Sequence, residues 1–334
     1  MAMWLIFLLA CGGKQGPIGG HDDIEKPRKK KGNKKVPPNS GRLIPAAGAP
    51  LDKSPDVPKE DYRPAPKKLK KSNCLSGGRY RVELDDYAHG QAALIVGDGD
   101  GPRTLVVALH GANGDLAKIL GQTRWDSLPD RDANVAVLIP EAAPIGDGKQ
   151  SRWNAGRYWE PIVEARDDVA FLDALVREVK QTACIDKVLA TGFSNGGQMV
   201  FRWACQGDEV DAALTSAGTL IPPQNSCKNQ VPFRGYMGTD DPMYTESPVP
   251  GDDQPNTVES MHRFARQNGC NLDADPVVER RGKQTCWEYQ GCDQPTVRCE
   301  VQGYPHGWPV PWGKKKAPDT DATLEGWTWF KGLK

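Results

Sequence analysis

The sequence predicts an α/β protein, a mostly parallel central sheet with helices on both faces. Three observations predict it. Two continuous apolar runs, residues 104–109 and 135–139, have the texture of strands buried on both faces. Residues 164–182 place Val169, Leu172, Leu175, Val176 and Val179 at the spacing of a helix with one buried face. Residues 187–204 pass from a strand-like run through a glycine-flanked serine into a helical run. Strands alternating with helices give parallel pairs, and such sheets carry their chemistry at the carboxyl ends of the strands.

The regular elements do not begin at residue 1. The chain has 334 residues and a formal net charge of zero, but residues 12–73 hold 16 Lys and Arg against 7 Asp and Glu, leaving 27 against 36 in residues 74–334. A basic arm therefore precedes an acidic globule. That charge distribution argues against nucleic-acid binding by the folded part, whose phosphate-facing surface would have to be positive. Residues 1–10 are almost wholly apolar, too short to span a bilayer, and are followed at once by Cys11. Leu8-Leu9-Ala10-Cys11 resembles the lipobox of bacterial lipoproteins, although no Lys or Arg precedes the apolar run. It implies cleavage before Cys11, lipidation of that thiol and attachment to a membrane of the cell envelope. Residues 11–73, dominated by Lys, Pro and Gly, read as a disordered tether. The catalytic domain is expected over 74–334.

Within that domain, residues 79–84 and 92–96 read as an opening antiparallel pair. The runs at 104–109 and 135–139 follow, then the helix over 164–182. A strand ending near Ala190 leads into Ser194, and residues 198–204 continue as helix. Residues 212–215, 233–237 and 297–301 are further strands, and 258–267 and 324–333 further helices.

Gly192-Phe193-Ser194-Asn195-Gly196 matches G-x-S-x-G, the strand-to-helix elbow that holds a nucleophilic hydroxyl above a sheet and tolerates only small neighbours. A serine hydroxyl needs a base within hydrogen-bond reach. Of the five histidines, His21 lies in the arm, His89 between the first two strands and His262 on a helix surface. His110 ends a strand and is expected to brace the loop that follows it. His306, in Gly303-Tyr304-Pro305-His306-Gly307-Trp308-Pro309 after the last strand, is the expected base. The base needs a carboxylate to orient it; Asp240 and Asp241, directly after the strand at 233–237, both qualify. An oxyanion would meet the Asn195 backbone N–H at the start of a helix. A second donor would come from Gly111 or Ala112 after the first central strand.

Seven blocks in order carry a resemblance: Leu109-His110-Gly111, Trp153-Asn154-Ala155-Gly156, Asp167-Asp168-Val169-Ala170-Phe171-Leu172, residues 192–197, Ser216-Ala217-Gly218-Thr219, Gly238-Thr239-Asp240-Asp241-Pro242 and His306-Gly307-Trp308-Pro309. The chain resembles the secreted polyhydroxybutyrate depolymerase and feruloyl esterase group of α/β-hydrolases, including its lipoprotein-like members. The resemblance implies an α/β-hydrolase fold, Ser194 as nucleophile, His306 as base and Asp241 as the acid. Asn195 and Ala112 would form the oxyanion hole and Trp308 would line the substrate pocket. Family members have a histidine where Met237 stands and glycines where Tyr304 and Pro305 stand.

Eight of the nine cysteines lie within 74–334, an even set suited to four disulfides in an exported protein. Cys184 with Cys205 is expected at the foot of the sheet, Cys286 with Cys299 across adjacent strands, Cys270 with Cys292, and Cys74 with Cys227 by elimination. No paired C-x-x-C spacing supports a zinc site. The expectation is a cofactor-independent serine esterase acting on hydroxyalkanoate polyester or on feruloyl or acetyl esters of polysaccharide. A serine peptidase on the same fold and a non-catalytic surface binding protein are the competing readings.

Overall fold

A computed structural model describes residues 62–66, 74–87, 90–146, 148, 150–156, 166–221, 227–246 and 254–333. The expected leader, Cys11 and most of the expected tether lie outside them, as do His21 and His89.

In chain order the strands are β1 (Arg63–Pro64), β2 (Gly78–Glu83), β3 (Gln91–Val96), β4 (Arg103–Leu109), β5 (Val135–Pro140), β6 (Ala143–Ile145), β7 (Gln150–Arg152), β8 (Ile185–Phe193), β9 (Ala212–Ser216), β10 (Phe233–Gly238), β11 (Val277–Arg281), β12 (Gln284–Glu288) and β13 (Thr296–Val301). The α-helices are α1 (Leu116–Thr123), α2 (Asp168–Ala183), α3 (Asn195–Gln206), α4 (Thr257–Gln267) and α5 (Ala322–Lys331). Eleven strands form one sheet in the order β1-β2-β3-β5-β4-β8-β9-β10-β13-β12-β11, and β6 pairs with β7 apart from it. From β5 through β4, β8, β9 and β10 to β13 every pair is parallel, while β3 joins β5 antiparallel.

Alternation along the central strands splits the core into two layers, because successive side chains leave opposite faces. Leu105, Val107 and Leu109 pack on one face with the apolar stripes of α2, α3 and α4. Val106 and Ala108 pack on the other with α1, α5, Trp125 and Trp308. On the first face Phe201, Phe233 and Phe264 form a ring cluster, with Phe233 4.6 Å from Phe201 and 4.1 Å from Phe264 between centroids. Four helices start on a carboxylate or amide cap: Asp115 accepts from Lys118 N–H, Asp167 from Val169 and Ala170, Asn256 from Glu259 and Asp321 from Leu324. Helix α3 is the exception, and its N-cap is Ser194, whose side chain makes no capping bond.

The chain joins the sheet before Cys74. Within the stretch expected to be tether, Arg63 and Pro64 pair with Tyr80 and Arg81 of β2, and Tyr62 is buried.

Two disulfides are as expected, Cys270–Cys292 and Cys286–Cys299, the latter directly opposed on β12 and β13. The other two exchange partners relative to the sequence reading, which paired Cys184 with Cys205 and Cys74 with Cys227. Cys74 bonds Cys184, and Cys205 bonds Cys227. The cause is what each chain end meets. Residues 74–76 run beside the end of α2, where Leu75 N–H donates to Thr182 at 2.8 Å. The segment after Cys227 folds onto the end of α3, where Lys228 N–H donates to Cys205 at 3.0 Å. Buried Arg103 fastens the first of these joints, donating to Ala183 O at 2.9 Å and Leu75 O at 3.0 Å.

Candidate active site

Strand β8 ends at Phe193 and α3 begins at Asn195, so the turn between them has a single residue. Ser194 takes φ 55° and ψ −121°, a conformation rare for a residue with a side chain. The glycines flanking it are required by space. A Cβ on Gly192 would come 2.4 Å from Gly196 O, and one on Gly196 would come 2.3 Å from Leu109 O. The turn is thus packed tightly enough to hold Ser194 in its strained geometry.

Ser194 Oγ lies 3.0 Å from His306 Nε2, and His306 Nδ1 lies 2.7 Å from Asp241 Oδ2. Asp241 is buried, and its second oxygen accepts from Met243 N–H at 3.0 Å. Asp240 is the more exposed of the two expected acids. The loop carrying His306 is built from below: Tyr304 donates its hydroxyl to Trp308 O at 2.6 Å, and Ser216 Oγ donates to Gly307 O at 2.7 Å. Burial pushes the Tyr304 hydroxyl up to about 12, so it stays a donor across the working pH range. Phe193 packs beside the imidazole with ring centroids 5.0 Å apart.

Trp308 is placed differently from the sequence expectation. It does not line a pocket: it is 2% exposed, donates Nε1–H to Thr323 Oγ1 at 2.9 Å and meets Trp125 edge-on at 6.0 Å. The apolar indole packs under the loop, supporting the imidazole from within the core.

The loop after β4 approaches Ser194 from the other side. His110 holds it: Nδ1–H donates to Gly111 O at 2.8 Å, and Nε2 accepts from Ala142 N–H at 3.2 Å. That pattern requires the neutral ring, and burial pushes the His110 imidazole down accordingly. Ala112 is exposed beside this loop, and Asn113 N–H bonds Ser151 O at 2.9 Å, tying the loop to β7.

Sequence reasoning did not assign the residues behind Asn195. Its side chain exchanges hydrogen bonds with the Trp153 backbone, and Trp153 Nε1–H donates to His110 O at 2.9 Å. Asn154 N–H donates to Asp168 Oδ2 at 2.6 Å, and Asp168 is ion-paired with buried Arg166. Burial is the largest influence on both members, raising the carboxyl and lowering the guanidinium, and each opposes the other's shift. The Trp153-Asn154 and Asp167-Asp168 blocks were visible in sequence. Their joint role is to fasten the two loops that face the serine.

A hydroxyl bonded to an imidazole that is itself bonded to a buried carboxylate can give up its proton as it attacks an electrophile. The dienelactone hydrolase family model matches residues 135–263, a span containing Ser194 and Asp241. The chain is 28% identical over 254 residues to feruloyl esterase C of Emericella nidulans, covering 74% of this chain and 83% of that protein. It is 31% identical over 205 residues to feruloyl esterase D of Neurospora crassa, covering 58% and 64%. A probable feruloyl esterase C of Aspergillus terreus is 27% identical over 235 residues, covering 68% and 77%.

The chain is an α/β-hydrolase that cleaves carboxylic esters.

In this α/β-hydrolase the parallel run from β5 to β13 delivers Ser194, Asp241 and His306 from the ends or following loops of β8, β10 and β13, three strands distant in sequence. The fold supplies convergence, and the loops supply the chemistry.

Proposed function

We propose that this α/β-hydrolase is an exported serine esterase acting on feruloyl esters through an acyl-enzyme on Ser194. The observation that carries the reading is the unbroken hydrogen-bond chain from Asp241 Oδ2 through both nitrogens of His306 to Ser194 Oγ, with steps of 2.7 and 3.0 Å. Ser194 Oγ attacks the ester carbon as His306 Nε2 takes its proton, and Asp241 stabilises the imidazolium that results. The backbone N–H groups of Asn195 and Ala112 hold the oxyanion, the first aided by the positive end of α3. His306 then protonates the departing alcohol oxygen. Water, deprotonated by His306, attacks the acyl carbon and releases the acid and free serine.

The feruloyl assignment is supported by the relatives above, three of which carry that activity in their names. Four disulfides support export, since such bonds persist in oxidising compartments. Cleavage before Cys11 and lipidation there would leave the domain on the basic arm as its tether. Cys11→Ser would then release the protein from the membrane fraction.

The test is ethyl ferulate hydrolysis together with labelling by a fluorophosphonate. Ser194→Ala should abolish both and leave the fold intact by circular dichroism. Labelling that survives the substitution would remove Ser194 as nucleophile. Faster release from poly(3-hydroxybutyrate) film than from ethyl ferulate would move the substrate to polyester.

A further inference from the structure

Residues 311–316, Pro-Trp-Gly-Lys-Lys-Lys, form a loop closed at its base by Ala317 N–H donating to Val310 O at 2.8 Å. Three contacts give it a fixed place. The guanidinium of buried Arg124 lies over the Trp312 ring at 5.5 Å. Lys315 Nζ donates to the backbone carbonyl of His306 at 2.7 Å, and the Tyr304 hydroxyl reaches Lys315 O at 3.5 Å. The lysine run is therefore strapped to the residue that carries the imidazole. Lys314, Lys315 and Lys316 are all exposed, and among the described residues none of them forms an ion pair. The carboxylate at the foot of the loop, Asp319, accepts from Lys283 N–H at 3.3 Å.

Three adjacent positive charges repel one another, and they stand on a domain with an excess of acidic groups. On balance that excess disfavours the approach of an anionic substrate to the domain. The lysines reverse the sign locally, at the loop that holds His306. In the proposed reaction His306 hands its proton to the departing alcohol, so the alcohol half of the ester lies on the histidine side of the serine. We infer that Lys314, Lys315 and Lys316 recognise a carboxylate on the alcohol half of the substrate. The preferred substrates are then esters of hydroxy acids, whether a uronate sugar or the acid end of a hydroxyalkanoate oligomer. The inference rests on the serine-esterase reading above and concerns only the alcohol half of the substrate, independently of which acyl group it carries.

The experiment uses substrate pairs differing only in charge: 3-acetoxybutyrate with 3-acetoxybutyramide, and O-acetyl galacturonate with the corresponding amide. The readout is the ratio of kcat/KM within each pair, which cancels any general damage to the site. The full chain should favour the charged member, through KM, with a preference that shrinks as salt is raised. Replacing all three lysines by glutamine should cut the ratio by about tenfold at low salt, as expected for three exposed charges. Arginine at the same three positions should keep it. Preference in the galacturonate pair alone would assign the site to uronate esters, and in the acetoxybutyrate pair alone to polyester ends. Equal rates within both pairs, or a ratio unmoved by the glutamine variant, would overturn the inference. So would turnover of neither pair while 4-nitrophenyl acetate is still cleaved, which leaves the esterase standing. Loss of 4-nitrophenyl acetate turnover as well would bring down the esterase reading itself.

Discussion

Asn195 and Trp153 hold each other by two reciprocal hydrogen bonds: Trp153 N–H donates to Asn195 Oδ1 at 2.8 Å, and Asn195 Nδ2–H donates to Trp153 O at 3.2 Å. The residue after Ser194 is therefore fixed by its side chain to the segment following β7. Its backbone N–H, the proposed oxyanion donor, inherits that fixed position.

Asn195→Ala should lower kcat on a simple ester about 10- to 100-fold with little change in KM, because a donor that drifts loses interactions made only in the transition state. Steady-state kinetics on 4-nitrophenyl acetate measure this. A change confined to KM would mean that the side chain serves ground-state binding instead.

Asp241→Asn should reduce kcat by about 10³- to 10⁴-fold, since the amide can present its NH₂ to His306 Nδ1 and favour the wrong tautomer. Asp240→Asn should stay within a few fold of the parent, as Asp241 and not Asp240 lies 2.7 Å from the ring. Parallel kinetics of the two variants decide, and the reverse ranking would reassign the acid.

His110 makes a prediction about stability against pH. It is held neutral in the fold, with its ring pushed below its ordinary value by burial, so the unfolded chain binds a proton that the native protein resists. Its contribution is thus present above about pH 6.5 and is lost as pH falls below that. In thermal melts the advantage of the parent over His110→Gln should be largest at pH 8 and should narrow by pH 5. A gap that is constant with pH would contradict the neutral bracing role.

Removing Cys74–Cys184 should cost more than removing Cys286–Cys299. The first joins residues 110 apart in sequence and the second residues 13 apart. On loop-closure entropy alone, the difference is about 2 kcal/mol in favour of the longer loop. Urea unfolding of the paired Cys→Ala variants, Cys74/Cys184 against Cys286/Cys299, tests it.

The central sheet was legible because its strands are buried on both faces and so read as unbroken apolar runs. Residues 104–109 and 135–139 became β4 and β5 almost to the residue. The serine elbow was legible because glycines crowd a serine only where a turn is too tight for any side chain but the hydroxyl. The loop of His306 stood out because it sets a histidine among glycine, proline and aromatic residues directly after a strand. Less was visible where the signal is shared between distant segments. Helix α1 spans only eight residues, and the exposed strand β11 shows no alternation to read. The disulfide partners of Cys184 and Cys205 depended on where residues 74–76 and 227–229 are laid down, which no local pattern encodes. Trp308 was misplaced for a related reason: an indole beside a reactive loop can face outward or inward, and the Thr323 hydroxyl that draws it inward lies on a different element.

The bond between Cys74 and Cys184 also determines how mechanical load would travel through the molecule. Cys184 is the residue immediately before β8, the strand that ends at the serine. A pull applied at Tyr62 would strip away the two-residue strand β1, but beyond Cys74 the force passes by covalent linkage to the centre of the sheet, bypassing the hairpin of β2 and β3. The domain can be pulled from the residues before Cys74 without its outer strands unzipping one after another.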